Sequence, residues 1–173
     1  NRAVAGADDM RLADFIAGQF AATGVLAALY ERDGPNGTGE GKHIDIALLD
    51  CTIAAQTHSV MTYLAAGVIP PRRGTEGNGG LPSQAFECAD GGVIVICGSE
   101  AQYRSFCEAL RQPQLADDPR FVTNTQRLAH RRELADVFNA LTRQWKMQEL
   151  LAVLEAAGIP SGPINRYPEV FAD

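Results

Sequence analysis

Long apolar runs dominate the first part of the chain. Residues 13–31 are rich in Ala, Leu and Phe and contain no proline, which predicts a largely buried helix with Asp14 as its N-cap. After a turn-rich run of Asp, Gly, Pro and Asn, residues 43–47 alternate between polar and apolar side chains, as in a short strand. A second helix is expected over residues 48–66. The first part is therefore predicted to be mainly helical.

The pattern changes after residue 66. Residues 67–82 are rich in glycine and proline, which predicts an extended loop or linker and the clearest boundary inside the chain. Two short runs of strand character, 84–88 and 93–97, then flank an Asp-Gly pair. This arrangement predicts a β-hairpin.

Helical spacing returns in the remainder of the chain. Residues 100–111 are amphipathic, and apolar residues recur at intervals of three and four along 125–143 and 147–154. The stripe of the longer helix consists of Leu128, Leu134, Val137, Phe138 and Leu141. Residues 158–164 contain two prolines and two glycines, so they are expected to be extended.

These elements predict an α/β chain with two lobes. A helical segment occupies residues 1–66, a glycine-rich linker or loop occupies 67–82, and a small α+β domain with the hairpin and several helices occupies 83–173.

The composition is that of an ordinary soluble globular protein. The 173 residues are 46% hydrophobic and 21% charged, and the formal net charge is -6. No basic run is longer than a pair, so the electrostatic signature of nucleic-acid binding is missing. The four cysteines show no C-x-x-C pair and no histidine at metal-ligand spacing, which indicates free thiols in a reducing, cytoplasmic compartment and no metal site.

Neither a membrane span nor a signal peptide is expected. The most apolar stretch, residues 44–68, contains Asp45, Asp50 and His58, and no window is expected to reach the length of a transmembrane helix. Because the chain starts at Asn1 rather than Met and ends soon after a Pro-containing segment, we expect it to be a piece of a longer protein.

Spacing alone identifies no active site. Residues 36–43 (NGTGEGKH) resemble a phosphate-binding loop, but Asn36 stands in place of its first glycine and His43 in place of Ser or Thr. From the residue pattern by itself, Asp14 is a helix-capping residue.

Eight sequence pieces, in order, resemble the family III coenzyme A transferases, the CaiB/BaiF type that includes formyl-CoA transferase. They are 12–18 (LADFIAG), 24–29 (GVLAAL), 39–45 (GEGKHID), 78–80 (NGG), 90–96 (DGGVIVI), 118–121 (DPRF), Arg127 with Arg131 and Arg132, and 158–163 (GIPSGP). No single piece is specific, but their order and spacing along nearly the whole chain are. The resemblance implies a helical segment of the family's large, Rossmann-like domain followed by its small α+β domain.

By this resemblance Asp14 is the catalytic nucleophile. Its carboxylate attacks an acyl-CoA thioester, and the released thiolate then forms an aspartyl-CoA thioester from which CoA passes to a carboxylic acid acceptor. The glycine-rich segment resembles the mobile loop that covers this aspartate, which implies that Gly79 and Gly80 contact substrate. The resemblance implies no cofactor besides the coenzyme A thioester that is the substrate.

The resemblance also implies surroundings outside this chain. Most CoA-binding residues are expected upstream of Asn1, and full-length chains of the family form interlocked homodimers. The fragment alone is therefore expected to be inactive.

Three alternatives stay open. An α-methylacyl-CoA racemase shares the fold and uses the matching aspartate as an acid or base. Residues 67–82 are equally well explained as a flexible interdomain linker, and a non-catalytic domain could bind a protein partner through its amphipathic helices.

The arginines at 127, 131 and 132 are expected to lie on a solvated helix face.

Overall fold

The structure, a computed structural model, describes residues 11–77 and 79–172. The chain divides into two compact units, Asn1–Arg72 and Arg73–Asp173. The division falls inside the glycine- and proline-rich segment 67–82. Each unit has its own secondary structure and its own pattern of burial.

The first unit is built from helices. In the part that the structure describes, α1 spans Leu12–Asp33, α2 spans Leu48–Ala55 and α3 spans Thr57–Ala66. The N–H of Gly34 donates to the carbonyl of Tyr30 at 2.7 Å, and α1 ends there. Gly24 lets the chain approach α1 closely, because a Cβ at this position would lie 3.3 Å from Cγ2 of Ile44.

Two predictions for this unit are wrong. Residues 43–47 form no strand, because a strand needs a hydrogen-bonded neighbour and the described residues provide none for this segment. The helix predicted over 48–66 is divided at Gln56, whose N–H donates to the carbonyl of Ile53 at 3.1 Å in a tighter turn. The hydroxyl of Thr57 donates back to the carbonyl of Ala54 at 2.9 Å, a bond that competes with the regular helical ladder.

The prediction that Asp14 caps α1 is also wrong. The N-cap is Arg11, whose side chain makes no capping hydrogen bond and whose carbonyl accepts from the N–H of Phe15 at 3.0 Å. Asp14 is the third residue of the helix. Leu12 and Ala13 are strong helix formers, so the helix begins before the aspartate rather than at it.

Most apolar surface of the first unit is exposed. Among its described residues, 11–72, only Ala17 and Cys51 are buried. The most apolar 18 residues of α1 have a mean hydropathy of 1.6, and 6% of them are buried, so by length and composition the helix could cross a membrane. The expectation that no window reaches this length is therefore wrong, because the charges of α1 are confined to its two ends. A core helix of a soluble protein has the same length and composition, so this feature is weak evidence for a span.

The second unit contains a small antiparallel sheet. Its strands are β1 (Ser83–Glu87), β2 (Gly92–Ile96) and β3 (Ser161–Pro163), in the order β1-β2-β3. The predicted hairpin is confirmed, with each strand one residue earlier than expected. Val93 and Val95 point inward and are fully buried, whereas Ile94 is 42% exposed on the outer face, as the two-residue period of a strand requires.

Helices surround the sheet and complete the second unit. They are α4 (Glu100–Ala109), a 3₁₀ turn (Pro113–Ala116), α5 (Asn124–Ala129), α6 (Arg131–Thr142), α7 (Met147–Ala156) and α8 (Tyr167–Val170). The single helix predicted over 125–143 is divided at His130, which ends α5 and accepts the first hydrogen bond of α6 from the N–H of Leu134 at 3.0 Å. Helices combined with a small three-stranded antiparallel sheet confirm the predicted fold class.

One apolar cluster forms the core of the second unit. The rings of Phe86, Phe106 and Phe138 are buried together, and the centroids of Phe106 and Phe138 lie 4.8 Å apart. Inner strand residues and one face of α6 and α7 complete it, namely Val93, Val95, Leu134, Leu150 and Leu154. Burial of such side chains contributes about 1.5–3 kcal/mol each.

Candidate functional site

Asp14 lies in the first turn of α1, and its side chain is exposed. The N–H groups of a first helical turn have no acceptor inside the helix, and they give this end a partial positive charge. They stabilise a nearby carboxylate by roughly 0.3–1 kcal/mol. They are also suited to stabilise an oxyanion that forms when that carboxylate attacks an acyl group.

The next turn of α1 places small residues beside Asp14. Gly18 follows four residues later on the same helix face, and a Cβ built there meets no described atom within 4 Å. Ala17, three residues after Asp14, is buried. A ligand can therefore approach Asp14 along this face without meeting a large side chain of that turn.

A first-turn position does not by itself single out Asp14. Asp50 is likewise the third residue of its helix, α2, and is likewise exposed. What distinguishes the two aspartates is the sequence motif 12–18 around Asp14.

Gly79 and Gly80 lie in the second unit and differ in their surroundings. A Cβ on Gly79 would meet no described atom within 4 Å, so this residue faces open space. A Cβ on Gly80 would overlap the carbonyl oxygen of Cys97 at 2.4 Å. Gly80 is thus required by packing against the end of β2, whereas packing places no such requirement on Gly79.

Hydrogen bonds fasten the backbone around Gly79 and Gly80, here called the glycine segment, to the rest of the second unit. The N–H of Gly77 donates to the carbonyl of Ser83 at 2.7 Å, and the N–H of Cys97 donates to the carbonyl of Pro82 at 2.8 Å. The N–H of Leu81 donates to Oδ1 of Asn124 at 3.1 Å. These bonds hold the segment on both sides of Gly79 and Gly80.

Arg127 is buried, contrary to the prediction of a solvated face. Only 2% of its side chain is exposed. Its guanidinium donates to the carbonyl of Phe121 at 2.8 Å, pairs with Glu100 at 2.8 Å, and lies 4.1 Å from the ring centroid of Tyr103. A charge is stable inside the unit because these groups replace water around it. Arg131 is also mostly covered and pairs with Glu76 at 3.2 Å, whereas Arg132 is exposed as predicted.

The cysteines are poor candidates for a nucleophile. All four are free and buried. Burial raises the pKa of the Cys97 thiol to about 12 and the pKa of the Cys107 thiol to about 11, so little reactive thiolate forms near neutral pH. Within residues 11–77 and 79–172, no group of three or more His, Cys, Asp or Glu side chains is arranged to hold a metal ion.

Comparison with known families decides the identity of the chain. The profile of CoA-transferase family III matches residues 7–173. The chain belongs to CoA-transferase family III. The fold agrees, because a CAIB/BAIF family protein from Brucella suis superimposes with a TM-score of 0.80 and 38% sequence identity, over 95% of this chain and 43% of that one.

Curated relatives of this CoA-transferase family III chain are transferases by name. It is 36% identical over 162 residues to a succinate–glutarate CoA-transferase of Agrobacterium fabrum, which covers 94% of this chain and 40% of the relative. It is 35% identical over 154 residues to an acetyl-CoA:oxalate CoA-transferase of Acetobacter aceti, covering 88% of this chain and 39% of the relative. The chain thus spans about 40% of the length of these relatives.

Two motifs of the family meet in the second unit. In the motif 118–121, the carboxylate of Asp118 accepts from the backbone N–H of Arg120 at 2.9 Å and from its guanidinium, and the pKa of that carboxyl is lowered to about 2 by these bonds. The turn presents the carbonyl of Phe121 to Arg127. These family residues therefore stabilise the second unit.

Sequence reasoning missed Glu100 and Asn124, which connect Arg127 to the glycine segment. They lie 24 residues apart, and Asn124 lies 43 residues from Leu81, so no local spacing could have revealed the contacts. The helical spacing could not reveal the burial of Arg127 either, because Arg127 lies on α5 while the buried Leu134 and Phe138 lie on α6.

Proposed function

We propose that the full-length protein transfers coenzyme A from an acyl-CoA donor to a carboxylic acid acceptor, with Asp14 as covalent nucleophile. Family membership supports CoA transfer in general. The observation that carries the role of Asp14 is its place as an exposed carboxylate in the first turn of α1, inside the motif 12–18.

The proposed reaction needs four displacements at acyl carbons. The Asp14 carboxylate attacks the donor thioester and expels CoA thiolate, which leaves a mixed anhydride. The thiolate attacks the aspartyl carbonyl, releases the donor acid and forms an aspartyl-CoA thioester. The acceptor carboxylate attacks this thioester and expels the thiolate again, which leaves a second mixed anhydride between Asp14 and the acceptor. The thiolate then attacks the acceptor acyl carbon, which releases the new acyl-CoA and restores Asp14.

The glycine segment has a distinct part in this proposal. An anhydride is destroyed by water, so the site must exclude water while the thiolate is transferred. Gly79 and Gly80 lack side chains, so their backbone can approach a substrate closely. The open space beside Gly79 supports contact with substrate at that residue in particular.

The names of the relatives suggest the acceptor class. Glutarate and oxalate appear in the names of two of the most similar curated transferases, with 36% and 35% identity. We therefore propose a small dicarboxylic acid as acceptor. Succinyl-CoA and acetyl-CoA are the donors to test first.

We further propose a cytoplasmic homodimer that acts without a membrane, a nucleic acid or an added cofactor. The exposed apolar side chains of the first unit support burial by the rest of a larger assembly, since Phe15, Leu26 and Leu64 are each at least 64% exposed. The four free cysteines support a reducing compartment.

The test compares two aspartates at the same helical position. Asp14→Asn and Asp50→Asn each remove one first-turn carboxylate, from α1 and α2 respectively. In the full-length protein, we expect Asp14→Asn to lower the rate of CoA transfer by roughly 10⁴-fold or more, because the covalent route is lost. Asp50→Asn should change the rate by less than about threefold, since it costs only a helix-dipole interaction.

Equal effects of the two substitutions would contradict the nucleophilic role of Asp14. The same protein samples also test whether the protein is a racemase rather than a transferase. If deuterium from solvent enters the α-position of a 2-methylacyl-CoA without any acceptor acid, and no CoA is transferred, the protein is a racemase and the proposed transfer is wrong.

A further inference from the structure

A polar chain links the buried Arg127 to the backbone beside the glycines. Arg127 pairs with Oε2 of Glu100 at 2.8 Å, and Oε1 of Glu100 accepts from the N–H of Asn124 at 3.0 Å. The side chain of Asn124 accepts in turn from the N–H of Leu81 at 3.1 Å. We infer that Asn124 is a positioning residue, which sets the glycine segment for catalysis, and that Glu100 and Arg127 hold Asn124 in place.

Asn124 is free for this contact because its neighbour caps the helix. Oγ1 of Thr123 accepts from the N–H of Gln126 at 3.3 Å, and Oε1 of Gln126 accepts from the N–H of Thr123 at 3.2 Å. This capping box fixes the start of α5. Asn124 is the first residue of that helix, so its own side chain is not needed as a cap.

The end of this polar chain of contacts that lies farther from the glycines is held in place by several groups. The guanidinium of Arg127 is held by the carbonyl of Phe121 and by the face of Tyr103, and only 2% of the side chain is exposed. Glu100, although 60% exposed, is bound through both carboxylate oxygens. Glu100 therefore holds the backbone of Asn124, from which the side chain reaches Leu81.

The other end of this polar chain of contacts is the N–H of Leu81, which is one residue from Gly80 and two from Gly79. Leu81 is 3% exposed and belongs to the core, so its N–H would lose its acceptor in a largely buried place if Asn124 were lost, which would loosen this backbone. The inference rests on the proposed function, in which these glycines contact substrate. A displacement of that backbone by about 1 Å is enough to slow a reaction by about 100-fold.

The chain offers a matched control in Asn139. Its Oδ1 accepts from the backbone N–H of Glu87 at 3.3 Å, at the end of β1 away from the glycines. Asn124→Ala and Asn139→Ala therefore remove the same kind of bond. Asn124→Asp keeps an acceptor oxygen for Leu81 and suits a first helical turn, so it should restore function.

The experiment uses the full-length protein with succinyl-CoA and glutarate. We expect Asn124→Ala to lower kcat for transfer by about 10- to 100-fold, to raise the share of succinyl-CoA lost to hydrolysis, and to speed amide exchange at Leu81. Asn124→Asp should stay within about threefold of wild type, and Asn139→Ala should leave both kcat and the hydrolysed share unchanged.

Two results would overturn the inference. Either the two alanine variants lower kcat equally, which makes Asn124 a merely structural residue, or Asn124→Ala leaves amide exchange at Leu81 at the wild-type rate. If instead wild type transfers no CoA to any acid, the proposed function fails and the role of Asn124 in transfer fails with it. The amide exchange then still decides whether Asn124 holds the segment.

Discussion

The two units of the chain differ in how they bury apolar surface. In the second unit one cluster of buried side chains extends from the strands through α4, α6 and α7. In the described part of the first unit only Ala17 and Cys51 are buried, and helices as apolar as α1 lie mostly exposed. The second unit therefore has the core of an independent domain, while the first is a set of helices that needs further surface to cover it.

The difference also separates the two parts of the proposed site. Asp14, the proposed nucleophile, belongs to the unit without a core, whereas Gly79 and Gly80 are fastened to the unit with one. The chemistry is thus proposed for a helix whose stability depends on the larger assembly. Gly79 and Gly80, by contrast, belong to a unit that has a core of its own.

The largest expected effect comes from expressing the units separately. Residues 73–173 alone should unfold in urea in a single cooperative transition, because the buried cluster is contained within them. Residues 11–72 alone should show no such transition by circular dichroism. Cooperative unfolding of the first segment, or its absence in the second, would remove the contrast between the units.

A smaller effect, on the free energy of unfolding, is expected from substitutions at Arg127 and Arg132, two arginines of the family motifs. Arg127→Ala in residues 73–173 should lower the free energy of unfolding by about 2–5 kcal/mol, because it leaves a cavity under Tyr103 and an unpaired carbonyl of Phe121. Arg132→Ala removes an exposed side chain and should change it by less than about 0.5 kcal/mol. Urea titrations of both variants measure the difference, and similar values would show that Arg127 is solvated after all.

The smallest stability effect is expected from the two glycines. Gly80→Ala should lower the free energy of unfolding by about 1–3 kcal/mol, because its Cβ meets the carbonyl of Cys97. Gly79→Ala has open space and should leave stability unchanged while lowering CoA transfer in the full-length protein. Unchanged CoA transfer in the Gly79→Ala variant would favour a plain linker over a substrate-contacting segment.

The sequence predicted the elements whose signal is local. The hairpin follows from an Asp-Gly turn between two strand-like runs, and the stripe of Leu134 and Phe138 predicted a buried helix face. Helix boundaries were less predictable. The breaks at Gln56 and His130 arise from local hydrogen bonds. No glycine or proline stands at either position, so the sequence did not indicate them.

Contacts between distant residues could not be predicted. Arginine is normally exposed, and Arg127 is buried because a carbonyl, a carboxylate and an aromatic ring from other segments surround it. For the same reason the link from Asn124 to Leu81 was invisible in the sequence. The role proposed for Asp14 rests on its motif, whereas its place in the first turn of α1 is seen in the structure.

Trapping of the covalent intermediate tests the central proposal most directly. The full-length protein is incubated with succinyl-CoA, treated with hydroxylamine, digested and examined by mass spectrometry. We expect a hydroxamate on Asp14 and unmodified Asp50, because only an activated acyl group on the aspartate reacts. Continued CoA transfer with Asp14 never modified would contradict it.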